Sequence, residues 1–441
     1  MAHFVTSKDL HAEGEHLRDE KVAKLQRLCG LIGGGGLLLS ALFLGLFSNA
    51  AQGSYAYSWL FALMFCLTIT FGGCFWTLLH NLSNSGWGTS VRRTMENLGF
   101  VFPFMLVFAL PLLFPNVKEY LWEWMAAYDR AVAAHPDLSA SKALLMSPDS
   151  HDHLLAKKTF YLSPGFWHVR FFLYFIGLGF FIWLARKFSI NQDNDPKPGV
   201  KNLFAARKHA SWSMIIFGVS LTFLALDWVM ALDYSWFSTM WGVYVFAGSA
   251  LSGMAALILT VSLLQRMGYL KKVVTEEHFH VMGKLAFAFT VFWAYITFSQ
   301  FFLYWYANIP EETRYFILRN TENWNVLSIA LVIFHFAIPF LAVMRSDVKK
   351  KPVFMIGFSC YILFVHMLDV YHMVIPERGP SVGLIAFHEA RLWIPLSFFG
   401  DLIALITVCA GFLYFYLRNL QSAALYPNRD PRILESANLI N

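Results

Sequence analysis

Ten apolar runs of about twenty residues recur along this chain of 441 residues, and they restrict its fold more than any other feature. They fall near 29–48, 57–79, 97–114, 166–185, 210–232, 240–264, 281–305, 325–344, 352–374 and 394–417. Each is long enough to cross a hydrocarbon layer about 30 Å thick as a helix. In lipid, a lone segment can satisfy its backbone polar groups only as a helix, so the pattern predicts an all-α integral membrane protein. Composition agrees: 57% of residues are hydrophobic and 14% charged, where a soluble chain would carry about a quarter charged. The expected organisation is an N-terminal tail (1–28), a ten-helix membrane domain (29–417) and a C-terminal tail (418–441), with one long loop at 115–165. The first apolar run is longer than a signal-peptide core, so it reads as a retained helix.

The loops predict an orientation. One alternating set of segments, with both termini, holds 22 Lys and Arg, whereas the other holds 9, five of them in the long loop. The excess of positive charge marks the cytoplasmic side, so both termini are expected there. In a bacterium the other side is the periplasm, which receives 307–313. This distribution also accounts for the net charge of +6 without nucleic acid. Arg92, Arg93 and Arg345 stand at cytoplasmic ends and read as anchors snorkelling to headgroups. The cysteines Cys29, Cys66, Cys74, Cys360 and Cys409 lie in apolar segments with no Cys-x-x-Cys, as buried structural thiols would. In the long loop, Trp122 and Trp124 suit a segment on the membrane surface or under a partner. The spacing of His151, Asp152 and His153 fits no standard metal site.

Ionisable groups inside spans are functional candidates because lipid makes them expensive. His366, Asp369 and His372 stand three residues apart in span nine, which keeps them near one face. With Asp227, His335 and Asp401 they form a predicted periplasmic half of a proton pathway. His168 and Arg170 enter span four from the same side. His80, Glu96 and Lys284 form a predicted cytoplasmic half, with His278 and His280 at the mouth of span seven. That span also carries Tyr295, Thr297, Ser299, Gln300, Tyr304 and Asn308 among aromatics, and these read as the polar lining of an interior helix. The alternative is that such groups pair across helices simply to fix the bundle.

Other chemistries find less support. His335 with His366 or His372 could bracket a haem only if they faced each other at matched depth, and no helix carries a histidine pair spaced for two stacked haems. P-loop, dinucleotide and nucleophile-elbow motifs are absent. The glycines at 33–36 sit within span one, where they permit close helix approach. A faint echo between 70–81 and 297–308, which cross in opposite directions, has the form of an inverted repeat.

The stretches "FSQFFLYWYANIPEET" (298–313), "FHFAIPFLAVMRSDVKK" (334–350) and "HMLDVYHMVIP" (366–376) resemble one family. It comprises the second NrfD-like (polysulfide-reductase-type) membrane subunits, the ActF type, of bacterial alternative complex III, a quinol:cytochrome c oxidoreductase. "RRTMEN" (92–97) and "WHVRFF" (167–172) add weaker support, and the likeness runs from about 25 to 420. The resemblance implies two four-helix bundles with two flanking helices. It implies partners: a multihaem cytochrome c, an iron–sulfur subunit, a paralogous quinol-binding membrane subunit and smaller subunits. No redox cofactor is expected on this chain, and its implied role is proton conduction and docking of redox subunits. Quinone binding by this chain is a weaker expectation, with Asp227, Asp233, His372 and Glu389 as possible donors. A purely structural scaffold and an independent secondary transporter remain the alternatives.

Overall fold

The structure is a computed structural model that describes residues 4–11, 14–195, 200–381 and 396–440. Among the described residues, ten helices are long and apolar enough to cross a membrane: α1 (Glu20–Leu46), α2 (Ala50–Ser83), α3 (Arg92–Leu113), α4 (Pro164–Asn194), α5 (Lys201–Leu232), α6 (Trp241–Arg266), α7 (Glu276–Ala307), α8 (Trp324–Ala342), α9 (Pro352–Glu377) and α10 (Ser397–Gln421). No strand occurs among the described residues.

Helix ends follow local chemistry. Asp19 caps α1 by accepting from the Lys21 amide at 2.7 Å, so the helix begins ahead of its apolar run. Asn49 caps α2 on the Gln52 amide. Asn308 closes α7 in the left-handed region at φ 48°, and Pro310 opens the next short helix, Pro310–Arg319. Proline also breaks two spans. α3 passes into 3₁₀ turns at Pro103 and Pro111. α8 opens into a π-helical turn at Val332–Ala337, just before Pro339, which has no N–H to offer the His335 carbonyl.

Packing is graded from centre to edge. The most apolar stretch of α2 is 89% buried and that of α6 83%, against 17% for α8 and 22% for α1. α2 packs on α3, α5, α6, α9 and α10, α4 pairs with α5, and α6 meets α7 and α9, while α1 lies along α10. Glycines set the tightest crossings. A Cβ on Gly72 would lie 2.1 Å from the Ser249 carbonyl oxygen, so α2 and α6 touch backbone to backbone there. Of the four-glycine run, Gly33 faces Gly411 and Gly36 faces Thr407 on α10, while Gly34 and Gly35 face open space.

Both tails reach one end of the bundle, where the Leu425 amide donates to the Glu15 carbonyl and Asn438 pairs with Val5. The Lys- and Arg-rich connections lie at this terminus-bearing end, and Lys350 pairs with Glu277 across it. At the far end the long connection folds into four short helices: Pro115–Leu121, Glu123–Ala134, Ala140–Leu145 and Ser150–Lys158. Trp122 and Trp124 are buried among them, not spread on a surface. Two further expectations change. Arg92 and Arg93 are fully buried in ion pairs instead of snorkelling, and Cys360 is exposed.

Candidate functional site

Asp369 on α9 is buried where α2, α6, α7, α8 and α9 converge. Its Oδ1 accepts a short hydrogen bond from the Tyr244 hydroxyl of α6. Its Oδ2 accepts from the Trp293 indole N–H of α7 at 3.1 Å. One turn earlier, His366 Nε2 meets the Thr68 hydroxyl of α2 at 2.9 Å. His366 Nδ1 faces Asp369 Oδ2 at 3.9 Å, too far for a direct hydrogen bond. The π-turn of α8 brings His335 to the same place. Its ring lies 4.0 Å from that of Trp293 and 6.2 Å from that of His366, measured between centroids. Both His335 nitrogens and His366 Nδ1 are buried without a protein hydrogen-bond partner. Gly248 of α6 leaves the room for this arrangement, since a Cβ there would lie 2.9 Å from His366 Cε1.

One ligand atom from each of His335, His366 and Asp369 lies within 4.8 Å of the others, so these residues could hold a proton, a water or a small cation. The Trp293 indole packs against the face of the His335 ring.

The other predicted acids are neutralised. Arg170 grips Asp227 with two bonds of 2.7 and 2.8 Å, and Tyr174 adds a third. Arg378 holds Asp401 at 2.8 Å, with Ser58 at 2.6 Å and Tyr371 at 3.1 Å. Glu96 lies between Arg92 at 3.2 Å and Arg93 at 3.3 Å, which in turn reach Asp430 and Asp193. Such pairs match the alternative reading, in which charges fix the bundle. Of the buried span carboxylates described, Glu96, Asp227, Asp369, Glu377 and Asp401, Asp369 alone lacks an arginine.

The remaining expectations divide. His372 bonds to Ser328 at 2.9 Å, beside the cluster but outside it. His80 is buried near the terminus-bearing end of α2 with both nitrogens unpartnered. Lys284 is exposed on α7 and does not join His80 and Glu96 in one site. His278 caps α7 by receiving the Thr275 amide, a structural role.

The expected polar lining of α7 is corrected, because that helix lies at the edge of the bundle. Tyr295 is 64% exposed and Asn308 is the helix cap. Thr297 donates to its own helix at Trp293, and Ser299 is half-buried. Gln300 and Tyr304 tie α7 to Ser238 and Phe237.

Tyr244, Trp293 and Thr68 are functional candidates that sequence reasoning missed. They carry no charge, and nothing local separates them from core residues. Pro339 was the one available signal, since a proline in a span forecasts a broken helical ladder four residues earlier, at His335. No family model and no curated protein matches this chain.

Proposed function

We propose that this chain is a membrane subunit of a respiratory quinol:cytochrome c oxidoreductase of the alternative complex III type, and that it passes protons through the Asp369 cluster. One observation carries the reading: among the described residues, Asp369 is the buried span carboxylate without an arginine. A carboxylate fixed to a guanidinium stays ionised, because neutralising it would strand a buried cation. A carboxylate held by a phenol, an indole and a nearby imidazole can exist in either protonation state, with its charge traded against the imidazole.

Protons would reach Asp369 through the Tyr244 hydroxyl and leave through His366. The 3.9 Å gap requires one bridging water or a side-chain rotation. α2 holds Thr68 at the cluster and His80 toward the other end, and on this reading His80 takes the place expected of Lys284.

The helix order supports the proposed family core. α2 packs on α3 and α5, and α4 on α5; α6 packs on α7 and α9; and α1 lies along α10. The Lys- and Arg-rich, terminus-bearing end would face the cytoplasm of a bacterial inner membrane. Haem and iron–sulfur clusters would then belong to partner subunits docked at the far end, over the short helices of 115–163.

The test is Asp369→Asn in the intact complex, compared with Asp227→Asn. We expect Asp369→Asn to lower proton translocation or coupled turnover by roughly tenfold or more, with the complex assembled. Asp227→Asn should instead weaken folding, since it frees Arg170. Normal translocation in Asp369→Asn would leave a structural scaffold as the better account.

A further inference from the structure

In the Asp369 cluster, lone pairs face one another with no hydrogen bond between them. Thr68 decides the tautomer of His366. Its single hydroxyl proton goes to the Phe65 carbonyl at 2.8 Å, so toward His366 Nε2, at 2.9 Å, it can only accept. His366 therefore carries its proton on Nε2. That leaves Nδ1 with a bare lone pair, buried and without a protein partner. It looks at Asp369 Oδ2 from 3.9 Å. A neutral imidazole always has one bare nitrogen, and both nitrogens of His335 are buried without a partner. One atom of His335 completes a set of three whose members all lie within 4.8 Å of one another.

This set selects a class of ion. Two imidazoles and a carboxylate suit zinc, whereas magnesium and calcium take oxygen ligands. Tetrahedral zinc, with bonds of about 2.0–2.1 Å, places its ligand atoms about 3.4 Å apart. The His366–Asp369 gap exceeds that by about 0.5 Å, and the widest gap in the set by about 1.4 Å at most. Side-chain rotation can close such distances. The outer contacts are those that a zinc site uses: Thr68 orients His366, while Tyr244 and Trp293 hold Asp369. Charge points the same way. Asp369 has no arginine, and a metal ion supplies the missing cation. Zinc with one carboxylate leaves one positive charge, which a water in the fourth position offsets by losing a proton to become hydroxide.

An entry path is present. A cavity of about 720 Å³ between α7 and α8 adjoins the cluster, since Tyr244 and Trp293, which hold Asp369, also line it. The exposed Asn320 and Asn325 line it toward the far end. His372 lines it too; of the other donors expected for a quinone, Asp227 and Asp233 are held by arginines, and Glu389 lies outside the described residues.

We infer that His335, His366 and Asp369 form a zinc site, with two imidazole nitrogens, one carboxylate oxygen and a hydroxide as its four ligands. Binding releases one proton from the water, and a second when Asp369 starts protonated. Zinc takes the lone pairs that the proposed proton route uses, so bound zinc and proton passage exclude one another. The binding itself rests on the geometry of the cluster alone.

The experiment is equilibrium dialysis of the chelator-stripped full chain in nanodiscs against zinc chloride, with zinc-edge X-ray absorption on the loaded protein. We expect one zinc per chain at micromolar or tighter affinity, bound by two imidazoles and by oxygen, with no sulfur. Asp369→Asn should weaken binding roughly tenfold or more. Thr68→Val leaves all three ligands in place and should also weaken it roughly tenfold, because His366 loses its orienting partner. His151→Ala with His153→Ala should change nothing. Absence of such a site in the unaltered chain, or a sulfur ligand, would overturn the assignment whether or not the variants fold. Full binding in both cluster variants, or its loss in the loop variant, would mean an adventitious ion only. Dialysis needs no turnover, so its failure leaves the Asp369→Asn translocation test, run with chelator present, intact, and the reverse.

Discussion

A buried charge in this protein is defined by what it faces. Arg170 and Asp227 show the common case: two charges in apolar surroundings, joined by a two-pronged contact and closed by Tyr174. Removing one partner leaves the other buried and uncompensated. Arg170→Met should therefore lower unfolding stability in detergent by about 3–5 kcal/mol. The double change Arg170→Met with Asp227→Leu should recover most of that loss, because it removes both charges together. Equal loss in the single and double variants would mean that packing, not charge, dominates there. Asp369 is the contrasting case, with neutral donors on both oxygens. The sequence showed that both acids lie at membrane depth. It did not show that one is paired with an arginine and the other with neutral donors alone.

Two ordinary devices shape the helices. Proline opens α8 into a π-turn, which sets the rotation of His335 about the helix axis and points its ring at His366. Glycine brings α2 and α6 into backbone contact, and this contact fixes the depth at which Thr68 meets His366. Gly72→Ala should accordingly destabilise the fold by about 1–3 kcal/mol, since its Cβ would strike the Ser249 carbonyl, which cannot easily move. Gly34→Ala in α1 is the matched control. Nothing lies within 4 Å of its Cβ, so stability should hold or rise slightly. Thermal unfolding of the two variants side by side decides the point, and similar losses would contradict the crossing geometry.

At the scale of the molecule, the two ends differ in charge and in structure. The terminus-bearing end collects the basic loops and both tails, and the far end carries short helices with buried tryptophans. If positive charge sets orientation as proposed, a phosphatase active only in the periplasm should be inactive when fused after Asn441. The same enzyme inserted near Ser139 should be active. The opposite pattern would invert the bundle and exchange the two ends of the proposed proton route. The edge helices α7 and α8 expose Phe298, Phe302, Val326 and Ile329, a surface suited to lipid or to another membrane subunit.

The sequence by itself determined the helices, their number and the division of charge between the two ends. Each of these follows from local composition: a run of apolar residues in lipid becomes a helix whatever surrounds it. Three of its candidate residues, His335, His366 and Asp369, come from two separate spans and meet in the structure. Only the tertiary structure decided which acids are paired, because the partners lie far apart in the chain, as Ser58 and Asp401 do. It also placed α7 at the edge and not inside. Lipid tails and a protein interior are similarly apolar, so a helix that is greasy on every side gives no sign of which face meets its neighbours. That rotation, set by glycine contacts, one proline and the pairing of distant charges, is what distinguishes a lining residue from one facing lipid.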